Sequence, residues 1–463
     1  MKLFSVELSN PISKIFNLIT KNQEYPSHWK KEHGIALAKI KPPESESDLR
    51  IIAKTPFCSK LYESFVYDWL IEIIQPFLDP EQYGVKGSSI THYLLKFLHF
   101  IQSSLDISKP NLVMAAFIDM SKAFNRVDHN LLIEDLYNMK CPSWLLRIMY
   151  SFLSNRVLIF NYKGSQSSPK NLPGGAPQGT LLGVICFIVK FNGALLRPPV
   201  IRPVTSQSDY CKAKYMDDIS VAINLLLDKL SKCKKLSPED NLLQSHLNEL
   251  LKFCNENGMK INQNKSKLMM FSRSREIEVP IQVSMDDKNN LEVIDSFKLL
   301  GVMVSNDLKW EINTDYICSK ARKKIFLIRN MKLSGLSTTE LIDAYKKEIR
   351  SLVEMAVPVW HSGLTLEQCR KIERVQKSAL SAILGNKYNN YDDALKLVKL
   401  DRLSSRRTKL CLKFIQKNMK SDNPLLSLVK KSHNTRSDPK LANEFQCRTK
   451  SYFSSGLPYL ARL

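Results

Sequence analysis

Two adjacent carboxylates, Asp217 and Asp218, stand in the tetrapeptide Tyr215-Met216-Asp217-Asp218. Lys212 to Tyr215 before them and Ile219 to Ile223 after them have the alternation and β-branching of short strands, which predicts that the pair falls in a tight hairpin turn. Carboxylates held that close repel, and a pKa rises unless a cation lies between them. Hard oxygen ligands then favour magnesium over zinc. An Asp-Asp pair is also ordinary turn chemistry, so the tetrapeptide alone does not decide. A third carboxylate, Asp119, closes the apolar run Leu112-Val113-Met114-Ala115-Ala116-Phe117-Ile118, the pattern of a strand buried on both faces. Asp119 is therefore expected where such a strand leaves its sheet.

Other residues could serve a phosphate-bearing ligand. Leu172 to Thr180, with Gly174, Gly175, Gln178 and Gly179, is a Gly- and Pro-rich loop that feeds an apolar helix through Leu182, Ile185 and Val189. Glycines let backbone approach a ligand closely, and a helix start offers free N–H groups. Lys39 and Arg50 lie near the tip of a predicted hairpin over 29–53, within reach of a triphosphate or simply as surface cations. Phe124 follows Asp119 by five residues and reads equally as a core aromatic.

The elements that must position these groups follow from periodicity. Phe57 to Phe77 predicts a helix with Leu61, Phe65, Leu70, Ile73 and Ile74 inward, and Asn130 to Met139 another. Ser237-Pro238-Glu239-Asp240 predicts a helix start, Leu243, Leu247, Leu250, Leu251 and Cys254 its core face, and Gly258 its end. A strand over Leu268–Phe271 and a hairpin over Phe297–Val304 come next. From Trp310 to about Met419 the pattern is helical. Within it Arg370, Arg374 and Lys377 share one face and Ile372, Val375, Ala379 and Ile383 the opposite one. Such a stripe either keeps a helix soluble or meets a duplex backbone.

Composition narrows the partners. Of 463 residues 44% are apolar, 68 are Lys or Arg and 45 are Asp or Glu. Residues 307–463 hold 31 basic and 15 acidic residues, so +16 of the net +23 lies there and +7 in residues 1–306. That concentration favours a polyanion, nucleic acid ahead of an anionic membrane. No secretory signal opens the chain, and the apolar run near Leu181–Val189 is too short to span a bilayer. Ten cysteines without a CxxC pair argue against a zinc site or disulfide framework and for a reduced intracellular setting, nucleus or cytoplasm.

Taken in order, Phe117 to Phe124, Gly175 to Thr180, Tyr215 to Asp218, Gly258 to Lys265 and Phe297 to Val304 resemble the successive palm motifs of reverse transcriptases. The resemblance is closest to non-LTR, LINE-like retrotransposons of the jockey-like group. Asp48-Leu49-Arg50, Ser59 to Glu63 and Tyr83 to Ser89 look like its fingers motifs; Pro358-Val359-Trp360, Ile372 to Lys377 and Arg406-Arg407 look like its thumb. It implies an α+β right-hand polymerase: an N-terminal extension over 1–24, fingers and palm over 25–306 with an antiparallel sheet backed by helices, and a helical thumb with basic C-terminal region over 307–463.

The implied activity is RNA-directed DNA polymerisation on an RNA template and DNA primer with dNTPs. Asp119, Asp217, Asp218 and the Met120 carbonyl would ligate two Mg²⁺, with Mn²⁺ as a substitute. Lys39 and Arg50 would neutralise the triphosphate, and Lys265 would serve as general acid for pyrophosphate. Gln178 and Gly179 would contact the incoming nucleotide, Phe124 would exclude a 2′-OH, and Arg370, Arg374 and Lys377 would hold nucleic acid. Asn125, Ile51-Ile52 and Val85 depart from the family pattern without touching a metal ligand. Neither an endonuclease nor an RNase H motif series is found, so strand nicking is expected from an element-encoded or host endonuclease, and the chain from a longer reading frame. The alternative is a decayed or co-opted remnant that binds nucleic acid without catalysis.

Overall fold

The computed structural model of the protein describes residues 4–38, 42–45, 49–108, 111–162, 164–195, 210–226, 242–273, 283–285, 290–419 and 447–462. Helix α1 (Ser5–Asn22) leads into a hairpin of β1 (Lys31–Ala38) and β2 (Leu49–Lys54), then α2 (Phe57–Ile74) and α3 (Ile90–Leu105). Strand β3 (Asn111–Ile118) is followed by α4 (His129–Asn138), α5 (Ser143–Leu153), β4 (Arg156–Tyr162), β5 (Ser165–Gln166), β6 (Lys170–Leu172) and α6 (Leu181–Lys190). A second hairpin, β7 (Tyr210–Tyr215) and β8 (Asp218–Leu226), precedes α7 (Leu242–Glu256), β9 (Lys267–Ser272) and β10 (Glu292–Val293).

A third hairpin, β11 (Ser296–Leu299) and β12 (Val302–Ser305), opens the helical part. It comprises α8 (Glu311–Leu333), α9 (Thr338–Tyr345), α10 (Ser351–Val353), α11 (Val357–Trp360), α12 (Leu366–Leu384), α13 (Tyr391–Val398), α14 (Leu403–Met419), α15 (Lys450–Phe453) and α16 (Gly456–Leu460).

The central sheet has the order β10-β9-β3-β8-β7, with β3 antiparallel to both neighbours. Every residue of β3 is buried. Leu112, Met114, Ala116 and Ile118 face a core shared with α4, α5, α6 and α7, while Val113, Ala115 and Phe117 face one shared with α3 and the C-terminal helices. Full burial of each large side chain contributes about 1.5–3 kcal/mol, so an uninterrupted apolar strand is what a two-faced core selects. A second sheet, β2-β1-β4-β5 with β6 beside β4, pairs Arg50 with Leu37. Its buried ion pair, Glu32 with Arg156, fastens β1 to β4.

Helix α2 is turned differently from its predicted face. Ser59, Tyr62, Glu63, Val66, Leu70, Ile71 and Ile74 are buried, Leu61 and Ile73 are half-buried, and Phe65 is 46% exposed. The helix is apolar nearly all round, so periodicity leaves its rotation loose. A polar chain sets it: Tyr25 Oη meets Ser59 Oγ at 2.7 Å, Ser59 Oγ donates to Glu63 Oε1 at 3.2 Å, and Leu182 N reaches Glu63 Oε2 at 3.5 Å. Those groups need each other's bonds once buried.

The C-terminal residues return to the sheet. Buried Asp106, after α3, accepts from Arg448 N (2.6 Å), Thr449 N (3.0 Å) and Thr449 Oγ1 (2.6 Å), and pairs with Arg273. The predicted helix start at Ser237–Asp240 lies outside the described residues; α7 itself buries Leu243, Leu247, Leu250 and Cys254, with Leu251 at its margin. The nine described cysteines are all free. Among the described residues no helix is long and apolar enough to cross a membrane.

Candidate active site

The β7–β8 hairpin closes by pairing Tyr215 with Asp218, and Met216 takes the left-handed φ of +54° that so tight a reversal demands. In the β3–β8 ladder Phe117 pairs with Ser220 and Ile118 with Ile219. One step further along that register sets Asp119 opposite Asp218. On the other side of β3, Asp119 N donates to Ser266 Oγ at 3.2 Å and Asp119 O accepts from Asn262 N at 2.7 Å. Both backbone groups of Asp119 are thus held by the chain that enters β9. Met120 bridges to Ile261 and is buried. Lys265 Nζ lies 3.9 Å from Asp119 Oδ2.

The carboxylates feel one another. Asp218 keeps solvent access at its surface, yet the protein packed about its carboxyl withdraws water, and Asp217 and Asp119 add like charge; together they push it up to about 6. Among the described residues no group of three or more His, Cys, Asp or Glu, these included, is placed to hold a metal ion. An open set of crowded, partly solvated carboxylates suits magnesium, which keeps waters and takes one or two carboxylates together with substrate phosphates. Zinc would need a closed set of nitrogen and sulfur ligands, so the donor chemistry fits the hard cation.

The glycine loop lies across the second sheet. Gln178 O accepts from Ala53 N of β2 at 3.1 Å, and Gly179, with φ +104°, runs close enough that a Cβ would sit 3.4 Å from Ile52 Cγ2. Thr180 caps α6 by accepting from Gly183 N at 3.0 Å. Gly175 N donates to Val127 O (2.9 Å) and Ala176 N to Phe124 O (2.7 Å), so the loop is latched to the segment after Asp119. Phe124 is half-buried and stacks on Phe187 with centroids 5.5 Å apart. The core-aromatic reading of Phe124 therefore holds whatever else its ring does.

The structure gathers Asp119, Met120, Asp217, Asp218 and Lys265 at one end of the central sheet, and ties Phe124, Gln178 and Gly179 into the adjoining loops. Arg50 is a β2 residue; Lys39 lies outside the described residues. On α12, Ile372, Val375, Ala379 and Ile383 are buried and Arg370, Arg374 and Lys377 exposed. Arg374 pairs with Glu367, and Lys377 lies over the Tyr391 ring at 5.1 Å, so the three cations are not equivalent.

Gln82, Asn262 and Ser266 were not legible as site residues. Gln82 accepts from Met216 N and the other two position Asp119, contacts that link segments far apart in the chain. The polar run Asp79-Pro80-Glu81-Gln82 before Tyr83-Gly84 was the available signal.

Residues 39–304 match the family model described as reverse transcriptase (RNA-dependent DNA polymerase), more than half of the chain. The chain belongs to the reverse transcriptase family. Among curated relatives it is 25% identical over 385 residues to the probable RNA-directed DNA polymerase from transposon BS of Drosophila melanogaster, covering 80% of this chain and 40% of that one. It is 23% identical over 459 residues to the RNA-directed DNA polymerase from mobile element jockey of the same organism, covering 97% and 48%. The chain thus spans less than half the length of the curated relatives it matches. These likenesses bear out the resemblance to non-LTR, jockey-like elements, and the mixed sheets and helices bear out the α+β polymerase class. A solved telomerase from Candida tropicalis, in complex with a telomeric RNA fragment, aligns with 91% of this chain and 67% of its own at TM-score 0.40 and 13% identity, too weak a likeness to bear on function. Reverse transcriptases as a family use divalent metal ions.

Proposed function

We propose that this chain is an RNA-directed DNA polymerase of a non-LTR mobile element, adding dNTPs to a DNA primer 3′-OH on an RNA template. The observation that carries the reading is the facing placement of Asp119 and Asp218, with Asp217 in the adjoining turn, at the open end of a sheet flanked by a glycine loop.

Asp119, Asp217, Asp218 and the Met120 carbonyl would hold two divalent ions, Mg²⁺ or in its place Mn²⁺, which when bound acidify the primer hydroxyl and neutralise charge on triphosphate and pyrophosphate. Lys265 Nζ would hand a proton to the departing pyrophosphate, a role its 3.9 Å approach to Asp119 supports. Lys39 and Arg50 would neutralise the triphosphate. Gln178 and Gly179 would meet the nucleotide through a backbone already held against β2. The exposed edge of Phe124 would stand against the sugar. Arg370, with Arg374 and Lys377, would carry phosphates of the primer–template duplex.

The reading places the chain inside the cell, in nucleus or cytoplasm, with strand nicking supplied by an element-encoded or host endonuclease. A non-catalytic remnant is disfavoured because all three carboxylates are intact and drawn together. Primer extension with dTTP and Mg²⁺ on poly(rA)·oligo(dT) and poly(dA)·oligo(dT) tests it. Extension at least ~10-fold faster on poly(rA) supports the reading. Binding to both duplexes without extension on either assigns the remnant instead.

A further inference from the structure

The strand that delivers Asp217 is the outer one of its sheet, so among the described residues β7 has an edge that no sheet strand covers. Residues 79–84 cover it. Lys214 N donates to Glu81 O at 2.9 Å and Lys214 O accepts from Tyr83 N at 2.7 Å. The side chain of Gln82, 4% exposed, extends this cover past the end of the strand. Its Oε1 accepts from Met216 N at 3.0 Å and from Gly84 N at 2.9 Å. A Cβ on Gly84 would lie 3.0 Å from Met216 N and Met216 Cγ, a tight contact, so glycine lets this segment lie closely against the turn.

Both partners are anchored to the end of α6. Lys214 Nζ, wholly buried, reaches Asp79 Oδ2 at 2.6 Å, Ala194 O at 2.9 Å and Asn192 O at 3.2 Å. Lys212 Nζ shares Asp79 Oδ2 at 3.0 Å, and Asp79 N donates to Asn192 Oδ1 at 2.7 Å. A buried carboxylate between two ammonium groups, all with further hydrogen bonds, resists displacement because separating any pair leaves a charge unsatisfied. Gln82 thus joins a rigid footing to the one residue of the turn with a left-handed backbone.

We propose that Gln82 is a positioning residue for the carboxylate hairpin: it holds Met216 so that Asp217 and Asp218 meet Asp119, on a footing made by Asp79 and Lys214. A shift of about 1 Å in a reacting group lowers a rate by roughly 100-fold, so one lost acceptor at the turn matters out of proportion to its bond strength. The inference rests on the polymerase reading for its kinetic readout only.

The test compares wild type, Gln82→Met, which keeps the bulk and removes the acceptor, and Gln82→Glu, which keeps the acceptor. Three quantities are measured: single-nucleotide incorporation on poly(rA)·oligo(dT), Mn²⁺ affinity by electron paramagnetic resonance, and thermal midpoint by circular dichroism. The expected result for Gln82→Met is an incorporation rate down at least ~10-fold, dTTP KM within ~2-fold, Mn²⁺ affinity down several-fold and a midpoint within a few degrees, with Gln82→Glu recovering most of the rate. Wild-type incorporation and Mn²⁺ affinity in Gln82→Met overturn it, as does a loss that tracks a lowered midpoint. If wild type binds Mn²⁺ but incorporates nothing, the polymerase reading fails and the Mn²⁺ affinities alone decide the role of Gln82.

Discussion

Asp119 and Asp218 occupy facing positions one step beyond Ile118 and Ile219, the last pair of the β3–β8 ladder. Because β3 is buried on both faces, the core fixes the register that brings this pair together, and the turn, held at Met216 by Gln82, carries Asp217 beside it. The first consequence concerns affinity. Asp217→Asn is expected to lower extension at least ~1000-fold while primer–template Kd stays within ~3-fold, because duplex affinity comes mainly from phosphate contacts. Filter binding beside extension on the same preparation checks it; equal loss of both would make the aspartate structural.

Phe124 stacks on Phe187 and lends its carbonyl to Ala176 N, so its ring is fixed from behind. Phe124→Val is expected to raise the rNTP/dNTP incorporation ratio at least ~10-fold with dNTP incorporation within ~5-fold. Unchanged selectivity would leave Phe124 as core packing alone.

The cations of α12 should separate by their partners. Arg374 is engaged by Glu367, whereas Arg370 makes no ion pair among the described residues. Arg370→Ala is expected to weaken duplex binding more than Arg374→Ala does and to reduce the slope of log K against log salt by about one. A titration over salt concentration reads both; equal slopes in the two variants would contradict the ranking.

Burial of Glu32 and Arg156 predicts a stability effect. Arg156 also donates to Phe152 O at 2.8 Å and lies over the Phe152 ring at 4.6 Å. Arg156→Met leaves Glu32 buried without its partner and is expected to cost about 3–5 kcal/mol; adding Glu32→Gln should recover part of it. Urea unfolding of the single and double variants measures the difference.

Acid should destabilise the fold before most carboxylates titrate. Burial, and then Lys212, hold the buried His246 ring down to about 4; His99 is held there by burial, and His361 by burial and Arg407. The folded state favours neutral rings while the unfolded chain protonates near 6.5, so the contribution is complete above about pH 6.5 and lost as pH falls toward 4. Each ring accounts for about 1–3 kcal/mol of that fall. His246→Leu should flatten the urea midpoint between pH 7 and 5; an unchanged slope would show that His246 is accessible to protons when folded.

The sequence exposed what a local pattern can carry. The unbroken apolar run of β3 required two covered faces and so placed Asp119 at its end, and the strands around Asp217-Asp218 required a hairpin. Register was not legible, because facing of Asp119 and Asp218 depends on how two strands a hundred residues apart align. The face of α2 differs from the one its periodicity predicts for a related reason: Tyr25, Ser59, Glu63 and Leu182 choose it together, and no window of α2 contains Tyr25 or Leu182. The role of Gln82 is not legible in the sequence, because a glutamine acquires it only from the turn that it faces.

In the proposed polymerase, Asp119 and Asp217 act as one unit. Single-turnover incorporation by wild type, Asp119→Asn, Asp217→Asn and the double variant tests it most directly. Each single change is expected to lower the rate by at least ~1000-fold, and the double to be no more than a few-fold slower than either, as for groups that share one chemical step. Multiplicative losses, or a single variant that keeps wild-type incorporation, would contradict it.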